Sequence, residues 1–78
     1  EANRWTITQI KENIGAIDAG KAAGITQGMK LIVFRDNKFV GYFCVVTVRP
    51  NQAAGTFSQL QLPPKVGDAL VSGKTLER

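Results

Sequence analysis

From Gly20 to Gly41 the chain reads GKAAGITQGMKLIVFRDNKFVG. Glycines at 20, 24 and 28 punctuate a tight connection; a hydrophobic strand, a two-residue polar turn and a second strand follow. In Met29–Val33 the side chains of Met29, Leu31 and Val33 share one face at the period of a strand. Ile32 and Phe34 fall on the other face, which is more apolar than a freely solvated face needs to be. Asp36 and Asn37 both tolerate left-handed backbone angles and suit a tight hairpin turn. The return strand, Lys38 to Arg49, is the longest in the chain. Gly41 inside it predicts a bulge or bend of the kind a small barrel needs where a strand turns a corner.

The rest of the chain repeats this rhythm. Trp5 to Ile10 is rich in β-branched and aromatic residues and predicts a strand. Lys11-Glu12-Asn13 is a polar turn, and Ile14 to Ala19 a second strand, so residues 5 to 19 form a hairpin. Glycines bracket Ala22-Ala23 so closely that at most one short helical turn fits near residues 21–24. Pro50-Asn51 predicts a turn, Ala53 to Leu62 a strand, and Pro63-Pro64 its end. Val66-Gly67-Asp68 turns into a last short strand, Ala69 to Val71. The expectation is an all-β fold: a small, closed or nearly closed six-stranded barrel, SH3-like or related. Closure is favoured over an open sheet because it removes exposed strand edges. Residues 1–72 make a single domain, and 73–78 a polar, frayed tail.

Size and composition narrow the chemistry. A domain of 78 residues buries only ~60% of the surface its unfolded chain exposes, so its stability depends on closure or on a partner. The longest apolar run, Val40 to Val48, is interrupted by Gly41 and Thr47 and is far short of the ~20 residues a membrane-spanning helix requires. The chain has no histidine, which removes histidine metal sites, Ser-His-Asp triads and the commonest general base. Its one cysteine, Cys44, has no partner for an internal disulfide, and its neighbours Tyr42-Phe43 and Val45-Val46 predict a small buried core residue there. The net charge of +4 comes from scattered lysines and arginines, not from a polybasic arm. Such an excess suits a soluble surface and is compatible with nucleic acid, anionic lipid or a cell-wall polymer.

The familiar functional motifs fail one by one. The Gly20, Gly24, Gly28 spacing imitates a membrane-helix packing motif, but Lys21, Thr26 and Gln27 interrupt it. Gly73-Lys74-Thr75 resembles the end of a phosphate-binding loop; Asp68 occupies the position of the required earlier glycine, and too few residues follow for the helix. The carboxylates lie in turns, near strand ends or at the termini, with no spacing that forces an acid/base pair. Asp18 and Asp68 are expected to accept backbone hydrogen bonds in turns. The sequence predicts no enzyme, no metal, no cofactor and no small-molecule substrate. The binding signal lies on one hairpin, where Ile32, Phe34 and Tyr42 stand beside Arg35 and Lys38. These five residues form the candidate interaction patch. Aromatic residues with neighbouring cations can cover a barrel end, receive a protein partner or stack nucleobases.

Across nearly its whole length the chain resembles a recurrent bacterial β-barrel module. The carrying residues are Ile7 and Ile10, Ile14 to Gly20, Gly24-Ile25 with Gly28-Met29, Val33-Phe34-Arg35, Val40-Gly41, Val45 and Val48, Ala53-Ala54 and Val66-Gly67-Asp68. They follow a pattern of D-G-V-x-x-G-M, a V-Y-R strand, an I-G return strand and a terminal V-G-D. The C-terminal domain of flagellar assembly protein T looks similar, as do barrels placed after coiled coils in envelope proteins of planctomycetes and verrucomicrobia. Asp18 stands where asparagine is usual, and Ala23 replaces the aspartate before Gly24. The resemblance implies a non-catalytic assembly or interaction module, and the chain reads as a domain cut from a longer, periplasmic or envelope-associated protein. A protein partner is the leading expectation, and a nucleic-acid-binding barrel using Arg35 and Lys38 is the alternative.

Overall fold

The structure is a computed structural model that describes residues 4–72; the expected tail at 73–78 and the Gly73-Lys74-Thr75 segment lie outside the described residues. The chain is all-β. Strands β1 (Arg4–Lys11), β2 (Ile14–Ile17), β3 (Lys30–Arg35), β4 (Lys38–Val48), β5 (Ala53–Ser58) and β6 (Ala69–Ser72) are joined by turns, with one 3-10 turn at Lys21–Ala23. They close into an antiparallel barrel in the order β1-β2-β5-β4-β3-β6. Closure is made by β6, whose Leu70 pairs with Trp5 of β1 on one side and with Val33 of β3 on the other. No helix among the described residues is long and apolar enough to cross a membrane.

Strand alternation fills the barrel. Ile7, Ile17, Leu31, Val33, Val40, Phe43 and Leu70 are fully buried and Phe57 nearly so, so every strand, β5 through Phe57, sends a large apolar side chain inward. Phe43 and Phe57 meet edge to face, with ring centroids 5.2 Å apart at 61°. A Cβ on Gly15 would stand 2.6 Å from the Phe57 ring, so the absence of a side chain on β2 is what lets the two aromatics share the centre. The connection from Asp18 to Met29 covers one end of the barrel. Ile25 is its plug, fully buried, and Lys21 N–H and Ala22 N–H anchor the 3-10 turn by donating to the carbonyls of Arg49 (2.8 Å) and Pro50 (2.9 Å).

The hairpins obey their turn chemistry. Asp36 and Asn37 have φ of 52° and 68°, the two positive values a type I′ turn needs, and Arg35 pairs with Lys38 across it. Gly41 sits at a bulge: Val33 pairs with Gly41 but Phe34 with Phe39, which leaves Val40 as the extra residue.

Three expectations need correction. The strand predicted to run to Leu62 ends at Ser58, because Gln59 takes a positive φ of 50° and the chain turns back. Gln61 N–H then donates to the Val40 carbonyl at 2.7 Å. The second strand ends at Ile17 and does not continue to Ala19; Asp18 turns aside, and its Oδ1 accepts the Thr6 N–H at 3.0 Å. Cys44 is not in the core. Phe43 and Val45 take the inward positions, so alternation puts Cys44 half-buried on the outer face, between Lys30 and Thr56.

Candidate functional site

The barrel interior offers no chemistry. The core is apolar, and among the described residues no buried side-chain nitrogen or oxygen lacks a hydrogen-bond partner. Nor do the described residues bring together three or more cysteine and carboxylate side chains that could hold a metal ion.

Outward positions on four neighbouring strands form one apolar face. In one row Arg4 (β1), Val71 (β6), Ile32 (β3) and Tyr42 (β4) are consecutive cross-strand partners. In the next, Thr6, Ala69, Phe34 and Phe39 stand in the same order. Between the rows and the hairpin turn lies a groove of about 380 Å³, floored by Ile32 and Val71 and walled by Phe34, Phe39, Arg4 and Lys38. Phe39 leaves 42% of its surface exposed on this face, while Ile14, Val46, Leu60 and Val66 are exposed elsewhere on the barrel.

Cations are laid over the aromatic rings of this face. The Arg4 guanidinium lies 5.0 Å from the Phe34 centroid, and Lys30 Nζ lies 4.6 Å from the Tyr42 centroid. Tyr42 also meets Phe39 edge to face, 5.3 Å centroid to centroid at 69°. Each such cation–ring contact is worth ~0.5–1 kcal/mol at an exposed site, enough to bias rotamers without immobilising the cations. The groove is therefore apolar at its floor and positive at its rim.

Arg35 is placed elsewhere. Its Nε donates to Asp68 Oδ1 at 2.7 Å, and Nη2 donates both to Asp68 Oδ2 at 3.0 Å and to the Pro63 carbonyl at 2.7 Å. Asp68 Oδ2 also accepts the Lys65 N–H at 2.9 Å, and the Asp68 carbonyl accepts the Ile7 N–H at 3.0 Å. Burial pushes the Asp68 carboxyl up, but the Arg35 hydrogen bond, the Lys65 N–H and the two positive charges together outweigh it, leaving the group below its ordinary value. The Asp68 hydrogen bond, opposed by a smaller effect of desolvation and joined by the Asp68 and Asp36 charges, holds the Arg35 guanidinium above its ordinary value. This forked ion pair clamps the β5–β6 loop to the end of β3.

Of the five patch residues expected from sequence, Ile32, Phe34 and Lys38 line the groove. Tyr42 borders it through Ile32 and Phe39, and Arg35 is spent on Asp68. Sequence reasoning missed Phe39, Val71, Arg4 and Lys30. Simple alternation from Tyr42 turns Phe39 inward; the bulge at Val40-Gly41 resets the parity, and Gly41 was the available signal. Arg4 and Val71 come from opposite ends of the chain and meet Ile32 only because the barrel closes.

A second depression, about 70 Å³ between Thr47, Arg49, Gln52 and Ala54, holds no more than a few waters. The chain matches no protein-family model, and no curated protein matches it in sequence.

Proposed function

We propose that this barrel is a non-catalytic interaction module that receives a protein partner on the outer face of β1, β6, β3 and β4. One observation carries the reading: four large apolar side chains on the outer face of the barrel, Ile32, Phe34, Phe39 and Val71, line one groove and stand in register on β6, β3 and β4. Exposed apolar patches rimmed by polar residues mark interaction sites on soluble domains. The carboxylates add support from the other side, because Asp68 and Asp18 are engaged in holding turns and strand ends. The resemblance to bacterial envelope barrels, SH3-like or related, fits a domain of this kind carried by a larger cell-envelope protein.

The test compares capture by the wild-type domain and by a Phe34→Ser/Tyr42→Ser variant whose dispersed amide spectrum shows that it is folded. Partners retained by the first should be lost by the second, with retention reduced about tenfold or more, the loss of roughly 1.4 kcal/mol of binding free energy. Equal retention by both proteins overturns the reading.

A second reading, a barrel that binds single-stranded nucleic acid, draws on the net positive charge and on the cations Arg4, Lys30 and Lys38 around the groove. It requires binding that falls steeply as salt rises, and absence of binding at low salt removes it.

A further inference from the structure

We propose that the groove selects a short peptide segment in which one or two large apolar side chains are flanked by carboxylates. The inference rests on the protein-docking reading above and names the partner's chemistry.

Three features converge on it. First, the sheet is closed, with β6 paired on both sides, so a partner cannot add a strand at an edge. Recognition must run through side chains. Second, a groove of about 380 Å³ is at the low end of the ~300–1,000 Å³ range of ligand pockets, and its floor of Ile32 and Val71 between Phe34 and Phe39 has the shape and polarity of a receptacle for one or two apolar side chains. Third, the rim is cationic. Arg4 and Lys38 line the groove and Lys30 borders it over Tyr42, and the one ion pair among the described residues is Arg35 with Asp68, away from the groove. Carboxylates on the partner would find cations already poised at the rim.

The same geometry disfavours nucleobases. A base needs an open ring face on which to stack, and here it would first have to displace the cation laid over Phe34 or Tyr42 or the edge-to-face contact of Phe39 with Tyr42. A second copy of the chain is disfavoured by charge, since two such faces would oppose cation to cation.

The experiment pans a displayed random dodecapeptide library against the full chain, with counter-selection on the Phe39→Ser variant. Recovered peptides should carry an aromatic or aliphatic core with neighbouring Asp or Glu. Their affinity should fall about tenfold when the acids become Gln, and as much against an Arg4→Glu/Lys38→Glu variant, while a basic-flanked counterpart should gain on that variant; tenfold corresponds to about 1.4 kcal/mol. Both substituted positions of the reversal variant are exposed, so it serves even if Phe39→Ser fails to fold. Groove-dependent peptides without acidic flanks, or with unchanged affinity on Gln substitution, overturn the inference and leave the protein-docking reading standing. If no groove-dependent peptide emerges, both fall, and a labelled oligothymidylate that shifts the amide signals of Ile32, Phe34 and Phe39 would then assign the face to nucleic acid.

Discussion

Asp68 is the buried ionisable side chain among the described residues, 3% exposed, and a buried carboxylate survives only where its charge is answered. Here the answer is a two-pronged guanidinium and a backbone N–H. Because the folded carboxyl lies below its ordinary value, it binds fewer protons than the unfolded chain across the acidic range. The stability it contributes is therefore complete above the unfolded value of ~3.9 and is lost as pH falls through that value and on through the lower folded one. Asp68→Asn should cost about 2 kcal/mol near neutrality, the scale of a hydrogen-bonded charged group. It should also flatten the decline of urea-unfolding midpoints below about pH 4, where the wild-type carboxyl takes up its proton. An acid profile that stays as steep in the Asp68→Asn variant as in the wild type would assign that decline to other carboxylates. The sequence showed that Asp18 and Asp68 would serve backbone groups, since short acidic side chains in turns do so by local geometry. It could not show Arg35 as the partner of Asp68. That pairing spans 33 residues and exists only after β3 and β6 lie side by side.

Among the elements, β3, the Asp36-Asn37 turn and β4 were legible because each signal is local: period-two alternation, two residues tolerant of positive φ, and a glycine inside a strand. What the local signal lacked was the consequence of the bulge. Val40 and Gly41 are both buried, which turns Phe39 out to the groove and makes room above Gly41 for the segment that follows β5. A Cβ on Gly41 would meet Leu60 Cδ2 at 2.7 Å, Leu60 Cα at 3.0 Å and the Ser58 carbonyl at 3.1 Å. The predicted strand at 53–62 stops early because Gln59 turns the chain at a positive φ, and Gln61 and Leu62 then lie over the bulge with their N–H groups on the Val40 carbonyl. Gly41→Ala should accordingly destabilise by ~1–3 kcal/mol, the usual cost of overpacking. Hydrogen exchange should accelerate first at Gln61 and Leu62, whose N–H groups donate to Val40. Adding Leu60→Ala should restore only part of the loss, since Leu60 Cα and the Ser58 carbonyl remain in place. Full recovery in the double variant would locate the crowding in the Leu60 side chain alone.

At the scale of the whole molecule, one short strand decides both the fold and the candidate site. β6 is four residues long, yet it supplies Leu70 to the core and Val71 to the groove floor. Its pairings with β1 and β3 convert an open sheet into a barrel. This is why the site was only half legible in sequence: Ile32, Phe34 and Tyr42 are near neighbours in the chain, whereas Arg4 and Val71 join them through closure. Without β6 the sheet would present two unpaired edges, at β1 and β3, and an apolar interior left open where Leu70 had been. Open edges of this kind template association with other chains. A chain ending at Asp68 should therefore lose amide dispersion and its cooperative urea transition, and elute in sizing chromatography as concentration-dependent aggregates. A shortened chain that remained monomeric, and unfolded at the wild-type midpoint, would mean that the five-stranded sheet is stable on its own. In that case β6 would be needed for the groove and not for the barrel, so the two roles of the strand can be told apart by measuring unfolding and groove binding on the same shortened protein.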